Sequence, residues 1–236
     1  MTYNIHKGYD TFKKGFILAK IKESINEAGA DIVFLQEVVG SSGLGTHQSQ
    51  FEFLAHSVWI HHSYGKNSVS SSGHHGNAIL SKYPFTFTTN IDLSLNKLER
   101  RGMIHGIITI PGSDQPVHLL CTHLSLREKD RRLQTIKISN YIQDNIPEGE
   151  PIILAGDFND WRNSLSKYLD KTVHFKECFI ETKGECAATF PGKLPVLKLD
   201  RIYFRNLSVI DTHVHEGKPW SQLSDHLALS SKLRIK

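Results

Sequence analysis

Cysteine is scarce in this chain of 236 residues. There are three, Cys121, Cys178 and Cys186, and no two of them make a CxxC pair. That excludes a disulfide framework and a zinc ribbon, and leaves reduced, buried thiols of a cytosolic protein as the reading. Long apolar runs are also missing. Stretches such as Ile152–Ala155 fall far short of the roughly 20 residues that cross a bilayer. Residues 1–15 hold no apolar segment of the secretory kind, so a cytoplasmic location is expected. Met1 stands almost inside a strand, a start equally compatible with a removed leader. Neither charge sign dominates: 28 Lys and Arg against 24 Asp and Glu give a net +4. A mildly basic surface tolerates a phosphate-bearing partner without demonstrating one. The chain has no internal repeat, and at 39% apolar and 22% charged residues it is neither disordered nor fibrous.

What is present is a chain long enough to bury roughly 70–75% of its unfolded surface, expected to form one domain over residues 1–236. Ile17, Ile21, Ile25 and Ala28 recur at helical spacing within Phe16–Gly29, with Gly29 as a stop. A second helix is expected over Leu126–Asp144, with Leu133, Ile136 and Ile142 inward, and a weaker one over Gln48–Ser57. Strands are expected at Met1–Ile5, Asp31–Leu35, Val58–His62, Ala78–Leu80, Ile104–Ile110, Val117–Thr122, Ile152–Ala155, Arg201–Phe204 and Leu227–Ser230. Ser-, Gly- and His-rich segments at Gly40–Ser49, Lys66–Gly76 and Gly184–Pro195 read as interruptions. Many short strands with few helices suggest two layers of sheet flanked by helices.

The informative pattern is where polar residues fall. Met1–Ile5 carries Asn4, DIVFL runs into Gln36 and Glu37, PIILAG runs into Asp157 and Asn159, and Ser224, Asp225 and His226 precede Leu227–Leu229. His123 follows Val117–Thr122, and Asp200 opens Arg201–Phe204. A carboxylate buried beside a sheet costs several kcal/mol unless something pairs with it. A shared cation would satisfy several of these at once. The oxygen donors Asn4, Glu37, Asp157, Asn159 and Asp225 suit a hard ion such as Mg²⁺, whereas zinc prefers clustered His and Cys. The adjacent pairs His61–His62 and His74–His75 diverge on an extended strand and read as surface residues.

TYNIHKG (2–8), LQEV (35–38), RRGMIH (100–105), CTHLSL (121–126), AGDFND (155–160), LDRIYF (199–204) and SDHLAL (224–229), in this order, resemble the endonuclease/exonuclease/phosphatase superfamily over essentially the whole chain. That superfamily includes pancreatic-type deoxyribonuclease, exonuclease III-like repair enzymes, neutral sphingomyelinases and inositol polyphosphate 5-phosphatases. The wording of TYNIHKG and GDFNDW looks most like a little-characterised bacterial branch. The resemblance implies a four-layered α/β sandwich, two mixed β-sheets packed face to face and flanked by helices, that cleaves phosphoesters with Mg²⁺ or Mn²⁺ and no organic cofactor. It implies Asn4, Glu37 and Asp225 at the metal, with Glu37 the principal ligand. Asp157 and Asn159 would orient the attacking water and hold the phosphate. His226, oriented by Asp200, would act as general base or bind the phosphate, His123 would be the general acid, and Arg101 would add a phosphate contact.

Each residue also has a plainer reading. Asn4 can satisfy a turn, Glu37 can be a surface acid, Asp157 and Asn159 can form an Asx turn, and Ser224–Asp225 can start a strand. Seven such coincidences in order are far less economical than one site. Arg127–Arg132 reads as a solvated helix face, as does Lys13–Lys14 as a solvated pair; Trp161 reads as a packing anchor rather than a base-stacking platform, and Trp220 as a loop residue. The expected substrate is a phosphodiester, with nucleic acid as the leading class for a monomeric enzyme. A phospholipid or sphingolipid phosphodiester is the alternative and would call for an exposed apolar loop near the site; a small-molecule phosphatase shares the same core. The non-enzymatic alternative is a phosphate-binding scaffold, against which the intact acids and both histidines argue. In the deoxyribonuclease branch the acid histidine leans on an earlier carboxylate, yet Val58–Gly76 holds no acid to support His123.

Overall fold

A computed structural model of the protein describes residues 1–12, 15–42, 49–56, 58–70 and 73–235. Its strands are β1 (Thr2–Asn4), β2 (Ile32–Ser42), β3 (His61–Ser70), β4 (Gly73–Ser81), β5 (Phe85–Asp92), β6 (Gly102–Thr109), β7 (Pro116–His123), β8 (Ile152–Asp157), β9 (Lys176–Glu177), β10 (Asp200–Arg205), β11 (Leu207–His215) and β12 (Ala228–Ile235). The helices are α1 (Leu18–Glu27), α2 (Gln50–Ala55), α3 (Glu128–Asn145), α4 (Ser166–Val173), α5 (Cys178–Lys183) and α6 (Trp220–Leu223).

Two six-stranded sheets result, ordered β11-β12-β1-β2-β4-β3 and β5-β6-β7-β8-β10-β9. Both are mixed: β1 pairs β2 and β7 pairs β8 in parallel, while the other pairs are antiparallel. The central strands are apolar on both faces because both faces are covered. In β2, Phe34 enters the core between the sheets while Val33 and Leu35 face the outer core with α1 and α2. In β8, Ile153 and Ala155 point to the shared core and Ile152 and Leu154 to α3 and α4. The layers are therefore helix, sheet, sheet, helix, the architecture implied by the resemblance.

Several expectations need correction. The strand expected to stop at Leu35 continues to Ser42, so Gln36 and Glu37 lie within it, at a bulge where pairing to β4 jumps from Leu35 to Val38. The Lys66–Gly76 interruption is strand on either side of residues 71–72, which lie outside the described residues. So do 43–48 of the Gly40–Ser49 segment, the Lys13–Lys14 pair, and both ends of the expected Gln48–Ser57 helix. Strand β3 starts at His61, later than Val58. Elements β5, β9, β11, α4, α5 and α6 were not among those expected.

The inner face of α3 also differs. Leu133 and Ile136 are exposed, whereas Arg131, Gln134, Thr135, Ile138 and Ser139 are buried with Ile142. Arg131 is thus no solvated charge: its Nη1 donates to the carbonyls of Ser125 and Leu126. Trp161, beneath the Arg131 guanidinium at 5.0 Å, stays 43% exposed rather than anchoring a core. Trp220 is buried against Tyr3 at the start of a short helix, not in a loop. All three cysteines are buried and unpaired.

Candidate active site

Strand polarity gathers the polar residues at one edge. The C-terminal ends of β1, β7 and β8 point the same way as the middle of β2, and the antiparallel β10 and β12 begin there. Register fixes the neighbours: Asn4 lies beside Gln36, His123 beside Asp157, and Asp200 beside Asp157 from the other side. Asp225 and His226 come just before β12. Gly156 permits this packing. It sits at φ +152°, and a Cβ there would come within 1.9 Å of the Thr122 carbonyl oxygen on β7.

Asp157 is the hub, and it is 1% exposed. Its Oδ1 accepts the Asn159 backbone N–H at 2.9 Å, closing an Asx turn that holds Asn159 in the left-handed region at φ 52°. Its Oδ2 accepts the Asn4 side-chain amide at 3.1 Å, and lies 3.4 Å from His123 Nε2 and 3.7 Å from His226 Nε2. Asn159 donates from Nδ2 to the Leu124 carbonyl at 3.0 Å. The plain and the functional readings of Asp157–Asn159 thus coexist, since the turn aims the carboxylate.

His226 is held from both ends. Its Nδ1 is 2.8 Å from Asp200 Oδ2, which also accepts the Thr189 hydroxyl at 2.6 Å, and the Phe190 ring lies 5.0 Å away. Burial alone would lower the pKa of this imidazole. Asp200, Asp157 and Asp225 outweigh burial and raise it to about 10, so the ring is a cation at neutral pH. His123 is the opposite case. Burial first, and then the Arg101 charge, push it down to about 3 against the pull of Asp157, so it is neutral. Arg101 is half-buried, and its Nε and Nη2 donate to Glu99 Oε1 at 3.2 and 2.9 Å.

Glu37 sits on the β2 bulge in the left-handed region, at φ 56°, a conformation that costs a non-glycine residue of order 1–3 kcal/mol. It has no hydrogen-bond partner among the described residues. Asp225 is partly exposed and lies 3.7 Å from His6 Nε2. Ser224 ties the two walls together, donating to the Asn4 carbonyl at 2.7 Å. A half-buried carboxylate at a strained bulge, next in the chain to the Gln36 that pairs with Asn4, has oxygen chemistry that fits a hard divalent cation such as Mg²⁺ or Mn²⁺. A second cluster, Asp157, Asp200 and His226, has ligand atoms within 4.8 Å of one another. There the facing His226 and Asp200 atoms already satisfy each other, which suits proton handling better than metal binding.

Sequence reasoning missed His6 and Thr189. His6 lies inside the TYNIHKG stretch, is buried at φ 47°, and has no partner at Nδ1. Thr189 has no sequence signal; only the loop closing over β10 brings it to Asp200.

Buried histidines of opposite shift predict how stability depends on pH. His105 and His215 are pushed down to about 4, chiefly by burial, and His123 to about 3. Below the ordinary value near 6.5 the unfolded chain binds protons that these rings refuse, so stability falls as pH drops from 6.5 towards 4. His226 acts in the other direction. Its contribution is complete below 6.5 and is lost as pH rises towards 10. Melting temperature should therefore peak near neutrality. The alkaline decline should flatten in His226→Gln and the acid decline in His105→Gln; unchanged limbs in both would refute these charge states.

With the geometry in place, comparison with known proteins is informative. The profile of the Endonuclease/Exonuclease/phosphatase family matches residues 1–226. The uncharacterized protein YbhP of Escherichia coli K12 is 38% identical over 242 residues, covering 100% of this chain and 95% of that protein. Among solved structures, an endonuclease/exonuclease/phosphatase from Beutenbergia cavernae superposes with a TM-score of 0.80 at 21% identity, covering 99% of this chain and 70% of that one. D. rerio TDP2 complexed with single strand DNA product gives 0.72 at 16% identity, covering 99% and 97%. The mannosyl-6-phosphatase Bt3783 of Bacteroides thetaiotaomicron gives 0.73 at 15%, covering 99% and 98%. At these identities the structures establish the fold.

Proposed function

The chain belongs to the endonuclease/exonuclease/phosphatase family, and from that premise we propose that it is a divalent-metal-dependent phosphodiesterase with nucleic acid as its leading substrate class. The observation that carries the reading is the Asp157 carboxylate, buried between a neutral and a charged histidine at 3.4 and 3.7 Å. Phosphoester hydrolysis needs charge neutralisation at the phosphate, an oriented water and help for the leaving oxygen. Asn4, Glu37 and Asp225 would hold Mg²⁺ or Mn²⁺, which when bound supplies charge neutralisation at the non-bridging oxygens.

The chain's own residues supply the rest. His226, a cation whose ring is held in orientation by Asp200, is suited to donate from Nε2 to a phosphate oxygen; of the two roles implied by the resemblance, phosphate binding fits its charge. Asp157 then accepts the proton of the attacking water, oriented with it by Asn159, whose amide keeps a second N–H for the phosphate. His123 is neutral while the site is empty of anion. An arriving phosphate opposes the Arg101 charge and raises its affinity for a proton, which it can pass to the leaving oxygen. The earlier carboxylate of the deoxyribonuclease branch is not needed, because Asp157 itself supports His123. Arg101 adds a phosphate contact by exchanging Glu99 for the substrate.

A single strand DNA product sits in the D. rerio relative, which supports nucleic acid as the leading class, while the sugar phosphatase shows that the fold also serves small phosphoesters. A lipid phosphodiester is the second reading, favoured by one feature. The loop that carries Phe190 onto His226 bonds Asp225 through the Gly192 N–H and continues into Leu194, 74% exposed; beside it Lys193 lies over Phe12, itself 59% exposed. No helix among the described residues is long and apolar enough to cross a membrane.

The deciding experiment is hydrolysis of a chromogenic phosphodiester with Mg²⁺ or Mn²⁺, followed by single-stranded DNA, RNA and phospholipid. Metal-dependent cleavage is expected, fastest on nucleic acid. No cleavage of any substrate would favour a phosphate-binding scaffold, and preference for phospholipid would favour the second reading.

A further inference from the structure

Arg101 faces two ways. It is the charge that acts most on His123, and it also lines a cavity of about 520 Å³ with Lys66, Asn67, Asn90, Lys97 and Arg100. That volume is in the range of ligand sites. The cavity lies where the edge strand of one sheet, β3, meets the edge strand of the other, β5. Its floor is built for close approach. A Cβ on Gly102 would come within 2.2 Å of Asn67 Oδ1, and one on Gly65 within 2.4 Å of Asn90 Oδ1. The two amides fill that space and meet, with Asn90 Nδ2 3.3 Å from Asn67 Oδ1 and 3.4 Å from the Lys66 carbonyl.

Its charge is only partly compensated, although Asp92 also lines it. Arg100 reaches Asp92 only at 3.9 Å, both half or more exposed, and Arg101 is paired with Glu99. Lys66 and Lys97 have no acid within ion-pair distance among the described residues. Four cations against two acids in one recess repel each other unless an anion joins them. A fork-shaped guanidinium, two ammonium groups and the Asn67 amide N–H donors together match phosphate oxygens. Val69 is the recess's large apolar side chain, so a hydrocarbon tail gains little there.

We propose that this recess binds a second phosphate of the substrate, so that the enzyme reads a phosphodiester chain rather than an isolated ester. This rests on the phosphodiesterase reading and narrows its substrate to a polyanionic strand. The probe is a fluorescein-labelled single-stranded oligothymidylate, followed by anisotropy in EDTA so that no turnover occurs. Lys66 and Lys97 are exposed and outside the catalytic set. The double variant Lys66→Glu/Lys97→Glu should melt as the parent does, yet bind the oligonucleotide at least about tenfold more weakly at low salt. Its log–log salt slope should shrink by about 0.7, the share of one lost phosphate contact on a single strand. Hydrolysis of the chromogenic phosphodiester should stay within about twofold of the parent. Unchanged oligonucleotide affinity would overturn the proposal, as would equal losses on the chromogenic ester or a loss confined to phosphatidylglycerol vesicles. A parent protein that cleaves no ester would instead defeat the phosphodiesterase reading, and the binding comparison would still decide the recess.

Discussion

Replacing His226 with alanine is expected to lower turnover of a chromogenic phosphodiester at least about a hundredfold. The change removes the buried cation proposed to bind the phosphate, while Asp157 keeps its bonds to Asn4 and Asn159. Asp200 is left with the Thr189 hydroxyl, and its Oδ1 already lacks a partner. Some stability will therefore be lost, and a melting curve must accompany the assay. Asp157→Ala provides the independent check. It deletes the proton acceptor and should cost at least as much, again with a cooperative melt. A folded variant of either kind with normal turnover would remove the assignment of this edge as the active site.

The second large effect is on the metal. Chelation with EDTA should reduce hydrolysis to background, and Mg²⁺ or Mn²⁺ should restore it. Glu37→Gln keeps shape and hydrogen-bonding capacity but removes the charge. It should raise the Mg²⁺ concentration for half-maximal activity by at least about tenfold, with much of the turnover regained at saturating metal. Glu37 has no partner among the described residues, so the substitution breaks no bond there. Turnover that ignores EDTA, or a Glu37→Gln enzyme with unchanged metal demand, would exclude Asn4, Glu37 and Asp225 as the metal site.

The two variants separate because they act on different walls of one edge. Asn4 belongs to both, its Nδ2 on Asp157 and its Oδ1 accepting the His6 backbone N–H at 3.1 Å. Disturbance of Asn4 should couple metal demand to turnover, whereas Glu37 and His226 should each affect one of them.

Much of this was open to inspection in the sequence. DIVFL and PIILAG are apolar through their core positions because both faces of their strands are covered, and the acids that follow them stand out against that background; in DRIYF the acid comes first and Arg201 is buried with it. Local chemistry also placed the Asx turn at Asp157–Asn159 and the stop at Gly29. The sequence could not show that β2 runs on through Glu37. A bulge depends on the partner strand, and β4 skips the two residues between Leu35 and Val38. Nor could it show that Arg131, amid five other polar residues in REKDRR, turns inward to the carbonyls of Ser125 and Leu126.

Residue types and their order determined the fold class and the kinds of group at the edge: oxygen donors of the sort that suit a hard cation, and histidines able to carry a proton. Tertiary structure alone decided the surroundings of each group. Two histidines of identical chemistry end one charged and one neutral, because Asp200 lies against the first while burial, and then the Arg101 charge, disfavours a proton on the second. A proton's free energy depends on the charges and burial within a few ångströms, and only the folding of separate strands to one edge sets those distances.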